Sequence, residues 1–313
     1  MAYKSLRVGC KKLSNLSLFT STMTYFSGYQ KSIDLAKYIV FGVPFDATST
    51  YRPGARFAPA AIREASLNIE TYSFRSGVDI EELDIHDAGD LHVSGNINET
   101  MRRIGLVCRN ILEEGKTPII LGGEHTITYG AIKGIDGEFA LVSFDAHLDL
   151  RGEYMDERLC HATFMRRINE ESKPKKIIEI GTRAVCREEL KYVNEAGNIK
   201  YVTSQRILHA DINSILKEIR SALYDCNKIY VTVDMDVLDP AFAPAVQNPE
   251  PEGISVSMLL DILLDICDQR LIAFDITEVT PHYDSGITAI NAAKIIFEVL
   301  SQLYKIEERR KQG

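Results

Sequence analysis

Short apolar runs punctuate this chain, and stretches with apolar residues at helical spacing lie between them. Residues 37–42, 117–121, 139–144, 176–180, 228–233 and 271–276 are dominated by apolar side chains and lack a polar alternation. Runs of that length predict strands buried on both faces. Residues 59–67, 98–113, 126–133, 212–224, 256–267 and 287–304 carry apolar residues at the helical period and predict helices. Pro59 suits a first helical turn and Ser255 suits a cap. Strands alternating with helices need crossover connections, so the expected architecture is α/β, with a mostly parallel sheet of about eight strands. A closed barrel shares the alternation and stays open at this point. No internal repeat or low-complexity linker interrupts the pattern, so one domain over residues 1–313 is expected. Residues 307–313 are expected to fray into solvent.

Composition narrows the functional classes. The 313 residues are 45% apolar, enough for a sizeable core. A formal net charge of -8 argues against nucleic-acid binding, which needs clustered Lys and Arg. It suits a cationic ligand. The six cysteines are scattered without a CxxC pair and read as reduced thiols. Residues 1–29 lack the apolar block of a secretory signal, and no run approaches the ~20 apolar residues of a membrane span. A cytoplasmic location without membrane contact is therefore expected.

The polar residues that follow the apolar runs carry the chemistry. Asp145, His147 and Asp149 follow one run, and Asp234 and Asp236 follow another. Alternate residues of an extended backbone share a face, so each set can converge. Gly122-Gly123-Glu124-His125 follows a third run, and Glu278 a fourth. Ligands of open parallel sheets bind beyond the carboxyl ends of strands. Four buried Asp carboxylates demand counter-charge, and two divalent cations would neutralise them. Oxygen-rich donors with imidazole and no thiolate favour Mn²⁺ over structural zinc. Two such ions would hold a bridging hydroxide, a nucleophile that needs no serine or cysteine. Taken singly, a strand-end Asp is a turn or cap residue and a lone His a satisfied core residue; two period-two clusters make coincidence improbable. Glu124 is expected only to start a helix. Asp84, Asp87 and Asp90 are expected to be turn residues. His86, His92, His209 and His282 receive no role.

These motifs resemble the ureohydrolase superfamily of arginases and agmatinases, and the agmatinases most. The resemblance rests on Leu121-Gly122-Gly123-Glu124-His125, on residues 142–149, and on residues 232–240 continuing to Pro244 and Gly253. Residues 42–46 and 52–57 are similar to the family's N-terminal motifs. The resemblance implies a three-layer α/β/α fold and two Mn²⁺ per subunit. It implies that His125, Asp145, Asp149 and Asp234 hold one ion, that Asp145, His147, Asp234 and Asp236 hold the other, and that Asp145 and Asp234 bridge. His161 would shuttle a proton, Glu278 would grip a guanidinium, and Asp149 would serve catalysis as well as the metal. It further implies a homo-oligomer, trimer or hexamer. Leu148 and Ala245-Val246-Gln247-Asn248 depart from the family pattern, and the latter bears on substrate identity.

The expected reaction is hydrolysis of a small cationic guanidino substrate, agmatine, to putrescine and urea by the bridging hydroxide. Arginine, aminopropylagmatine and guanidinobutyrate are the alternatives. Residues 150–158 contain Glu153, Asp156 and Glu157 but no Asn or Ser, so they are expected to repel a carboxylate and attract an ammonium. Arg151 and Arg158 are expected to pair internally. A two-metal phosphoesterase would want basic residues where Glu278 stands, and a non-catalytic relative would have lost ligands.

Overall fold

The computed structural model describes residues 14–21 and 24–312. Cys10 and most of the N-terminal stretch read above lie outside the described residues. The strands are β1 (Thr20–Ser21), β2 (Tyr38–Gly42), β3 (Tyr72–Ser73), β4 (Val78–Asp79), β5 (Ile85–Leu91), β6 (Thr117–Leu121), β7 (Ala140–Phe144), β8 (Lys176–Thr182), β9 (Ile199–Thr203), β10 (Ile229–Asp234) and β11 (Leu271–Thr277). β3 and β4 form a separate two-stranded ribbon; the others make one open sheet in the order β1-β5-β2-β6-β11-β10-β7-β8-β9. Every neighbouring pair from β5 to β9 is parallel, and only the two-residue edge strand β1 runs antiparallel. The sheet is open, so the barrel alternative falls away.

Ten helices accompany it: α1 (Ser14–Phe19), α2 (Ala58–Ser66), α3 (Ile97–Glu113), α4 (Ile127–Ile132), α5 (Phe164–Glu171), α6 (Arg187–Ala196), α7 (Ser204–His209), α8 (Ile212–Ala222), α9 (Val256–Ile266) and α10 (Ile287–Gln312), counted among the described residues. The pleat sends alternate side chains of one strand into two cores. Ala140, Val142 and Phe144 of β7 pack in one core with α2, α7, α8, α9 and α10. Leu141 of the same strand packs in the other with α3, α4, α5 and α6. A sheet between two helical layers explains why its central strands are dominated by apolar residues without a polar alternation. Among the described residues no helix is long and apolar enough to cross a membrane.

Two expectations fail here. Asp87 and Asp90 are not turn residues but lie within β5, whose neighbour is β2. The buried Arg63 of α2 neutralises them: Nε and Nη2 donate to the two carboxylate oxygens of Asp87 at 2.7 and 2.9 Å, and Nη1 donates to Asp90 at 2.5 Å. Gly42 is required beside them, because a Cβ there would sit 2.0 Å from Asp90 Oδ1. The C-terminal tail does not fray either. α10 continues to Gln312, and Glu307 accepts hydrogen bonds from Lys37 Nζ and Tyr38 Oη.

Candidate metal and substrate site

The four central strands, in the order β6-β11-β10-β7, end at one rim. Each delivers one of the sequence motifs, so side chains far apart in the chain meet there. The double glycine after β6 is forced by close backbone approach: a Cβ on Gly122 would lie 2.5 Å from Ile276 O, and one on Gly123 would lie 1.9 Å from Phe45 O. Glu278 N donates to Gly123 O at 2.9 Å, and Glu278 Oε1 accepts His125 N at 2.7 Å. The ends of β6 and β11 are thereby locked together. Asp149 and Glu278 adopt left-handed φ values of 52° and 66°. Such conformations cost non-glycine residues on the order of 1 kcal/mol, and neighbouring contacts must hold them.

The acidic residues share one arrangement. Asp145 Oδ1 accepts His147 N at 2.7 Å, Asp234 Oδ1 accepts Asp236 N at 2.8 Å, and Asp236 Oδ1 accepts Ala146 N at 3.0 Å. Backbone amides thus fix one oxygen of each and leave Oδ2 aimed at an imidazole. His125 Nδ1 lies 3.0 Å from Asp145 Oδ2, 3.2 Å from Asp234 Oδ2 and 3.8 Å from Asp149 Oδ2. His147 Nδ1 lies 3.0 Å from Asp236 Oδ2 and 3.5 Å from Asp145 Oδ1. Two groups result, His125-Asp145-Asp149 and Asp145-His147-Asp236, with donor atoms of each within 4.8 Å of one another. Asp145 belongs to both, and Asp234 joins the first through His125.

These donors fit a pair of divalent cations. His125 Nδ1 is buried and makes no hydrogen bond despite its three carboxylate neighbours. Its lone pair and theirs face a common point, which is the geometry of ligation. The electrostatics agree. Burial, then repulsion from Asp145, pushes the Asp149 carboxyl well above its usual range; burial, then Asp236 and Asp145, does the same to Asp234. Burial would raise Asp145 too, but His125 and His147 outweigh it and hold it low. Both imidazoles are correspondingly raised well above their usual value against the effect of burial, so protons take the place of cations.

Behind the donors stands a buried polar chain that sequence reading missed. His125 Nε2 lies 2.8 Å from Thr232 Oγ1, whose hydroxyl donates to Asp275. Thr128 Oγ1 donates to Asp275 Oδ2 at 2.9 Å, and Tyr230 Oη donates to the same oxygen. The phenyl ring of Phe164 covers the imidazole of His125 with centroids 4.4 Å apart. Glu124 also exceeds its expected part as a helix starter: α4 begins at Ile127, and buried Glu124 accepts Thr48 N at 2.8 Å and Thr126 Oγ1 at 2.7 Å. That contact sets Thr48, whose Oγ1 accepts His161 N at 3.2 Å. His161 Nε2 lies 3.3 Å from Thr50 Oγ1. Burial, with His147 and His125 adding to it, lowers the His161 imidazole to about 4, so it is neutral at pH 7.

A cavity of about 470 Å³ opens over the donors and is lined also by Glu278, His161, Arg151, Tyr154, Asn248 and Glu250. Glu278 Oε2 is buried with no partner. Burial and the neighbouring Asp234 and Glu124 raise its carboxyl well above the usual range. A planar cation would satisfy both the free oxygen and the charge. Glu153, Asp156 and Glu157 do not line the cavity, so the acids expected to draw an ammonium are elsewhere. Among the described residues Arg151 and Arg158 form no ion pair; the Arg151 guanidinium lies over the Tyr154 ring, 5.1 Å from its centroid. The acid at the cavity mouth is Glu250, which stands between two prolines on the stretch from Pro244 to Gly253 that continues the third motif.

The arginase family model matches residues 36–301. An uncharacterized 32.2 kDa protein of Methanothermus fervidus is 42% identical over 87% of this chain and 96% of its own length. An agmatinase of Halalkalibacterium halodurans is 38% identical over 88% of this chain and 93% of its own length. The crystal structure of agmatine ureohydrolase of Thermoplasma volcanium has a TM-score of 0.83 at 32% identity and covers 97% of both chains.

Proposed function

The chain belongs to the arginase family, and from that premise we propose that it hydrolyses agmatine to putrescine and urea with two Mn²⁺ ions held by His125, Asp145, His147, Asp149, Asp234 and Asp236. The observation that carries the proposal is the unpartnered, buried oxygen of Glu278 in a cavity shared with the paired His/Asp donors. The names of the similar agmatinases support the choice of agmatine. When bound, two such ions would supply an activated water and stabilise developing negative charge.

The protein's own side chains supply the rest. Glu278 would grip the guanidinium with Oε2 while His125 N fixes Oε1, so the planar group has one orientation. His161, neutral at pH 7, would take up the proton that the attacking water gives up and return it to the leaving amine nitrogen. Thr48 would hold its backbone and Thr50 its ring in place. Urea release should be measured with Mn²⁺ on agmatine, arginine, aminopropylagmatine and 4-guanidinobutyrate. Agmatine is expected to give the highest kcat/KM, and Asp145→Asn to abolish turnover. Strong activity on arginine with none on agmatine would defeat the substrate assignment. Unchanged activity in Asp145→Asn would defeat the two-metal assignment.

A further inference from the structure

Two sets of side chains in contact line the cavity. One carries Arg151, Tyr154 and His161: the guanidinium stacks on the tyrosine ring, whose edge meets the His161 ring at 6.0 Å. The other carries Asp236, His147 and Glu250. His147 Nδ1 faces the Asp236 carboxylate at 3.0 Å, and His147 Nε2 points outward, 4.0 Å from Glu250 Oε1. The Glu250 side chain is 41% exposed and has no hydrogen bond or other ion pair among the described residues.

The Glu250 backbone, in contrast, is tightly held. Arg183 spends its guanidinium on main-chain carbonyls rather than on an acid. Nη2 donates to Glu250 O at 2.9 Å and to Asp236 O at 2.6 Å, and Nε donates to Pro251 O at 2.9 Å. Nη1 donates to Val237 O at 3.1 Å and to Gly181 O at 3.2 Å. One cation therefore staples the 250–251 loop to the loop that presents Asp236. Pro249 and Pro251 stiffen the mount on both sides. A free carboxylate on so rigid a base, at the mouth of a cavity whose floor holds a second free carboxylate, suits a ligand with a positive charge at each end.

We propose that Glu250 receives the ammonium tail of the substrate and selects guanidines with a cationic terminus. This rests on the agmatine reading above and adds the residue that reads the tail. Agmatine has six bonds between its guanidino carbon and its amine nitrogen, a span of roughly 7 Å when extended. Glu278 and Glu250 line the same cavity, which would take such a chain with its guanidinium on Glu278 and its ammonium at Glu250. Arg151 also lines the cavity and would repel the same ammonium.

The test compares agmatine with butylguanidine, which has the same carbon chain and no amine, on the Mn²⁺-loaded wild type and Glu250→Gln. The variant is expected to lower the agmatine-to-butylguanidine ratio of kcat/KM roughly two- to fivefold, the upper part of the range for an exposed ion pair. Glu250→Lys is expected to go further and favour 4-guanidinobutyrate over agmatine. Metal content measured in both variants separates tail recognition from damage at His147. An unchanged ratio in Glu250→Gln, at full metal content, would overturn the assignment of Glu250 while leaving agmatine as substrate. A wild type that releases no urea from agmatine would overturn the agmatine reading, and this inference with it.

Discussion

Asp275 touches none of the proposed metal ligands, yet it dictates how one of them binds. Its carboxylate accepts from Thr232, Thr128 and Tyr230, so all three hydroxyls point their protons at it. The Thr232 oxygen is then left to accept from His125 Nε2. That places the imidazole proton on Nε2 and leaves the Nδ1 lone pair free for a cation. Asp275→Asn exchanges one acceptor oxygen for an amide donor, so one hydroxyl must turn away. If Thr232 turns, it donates to His125 Nε2 and drives the proton to Nδ1, the tautomer that cannot ligate. Asp275→Asn is therefore expected to weaken Mn²⁺ binding about ten- to a hundredfold with the fold retained. Isothermal titration of the metal-free protein with Mn²⁺, beside a circular dichroism spectrum, checks this. Equal affinity in the variant would show that the chain of hydroxyls does not set the tautomer.

At the scale of elements, β5 depends on a single ion-pair cluster. It places Asp87 in the interior between strand and helix, where only Arg63 balances the charge. Removing the guanidinium leaves a buried carboxylate with no counter-charge and only the backbone amides of Phe26 and Gly89 as donors, so Arg63→Ala is expected to cost about 3–5 kcal/mol of stability. Urea denaturation at pH 7 reads this as a lower midpoint; a loss below about 1 kcal/mol would mean that water reaches Asp87 and solvates it. The same cluster explains what could be read in the sequence. β6, β7, β10 and β11 are covered on both faces, so their residues are mostly apolar and declare themselves. β5 carries His86, Asp87, Gly89 and Asp90, a turn composition, and its partner Arg63 lies 24 residues upstream of Asp87. No local pattern reveals such a pairing. β9 was missed as a named strand for another reason: it is the sheet edge, and its exposed Lys200 and Tyr201 break the apolar run. The proposed metal donors were legible because each follows a legible strand. The stretch from Pro244 to Gly253 was legible as bearing on the substrate, but Glu250 itself was not, because Arg183 fixes its place at the rim through main-chain contacts that leave no trace in residue type.

Over the whole molecule, proton binding and metal binding compete for the same pocket, and stability should report the competition. In the metal-free protein His125 and His147 are held protonated well above 6.5, the ordinary histidine value. Asp149, Asp234 and Glu278 are likewise raised well above the usual carboxyl range, chiefly by burial. His161 is shifted the other way, to about 4, but above pH 6.5 it is neutral whether folded or not. From about pH 6.5 upward the folded state therefore binds more protons than the unfolded state, and stability falls as pH rises. Each proton so retained is worth about 1.4 kcal/mol per pH unit. Divalent ions replace those protons with charge that does not titrate, and their affinity grows as the ligands lose protons. Bound metal adds stability in proportion to the logarithm of its concentration over its dissociation constant. The gap between the Tm with Mn²⁺ and the Tm in EDTA is therefore expected to widen steadily from pH 6.5 to 8.5, chiefly because the EDTA curve falls. Differential scanning calorimetry across that range measures both curves. A gap that stays constant would mean that the cations enter without displacing protons, and the donors would then have to be ionised and held apart by something other than His125 and His147.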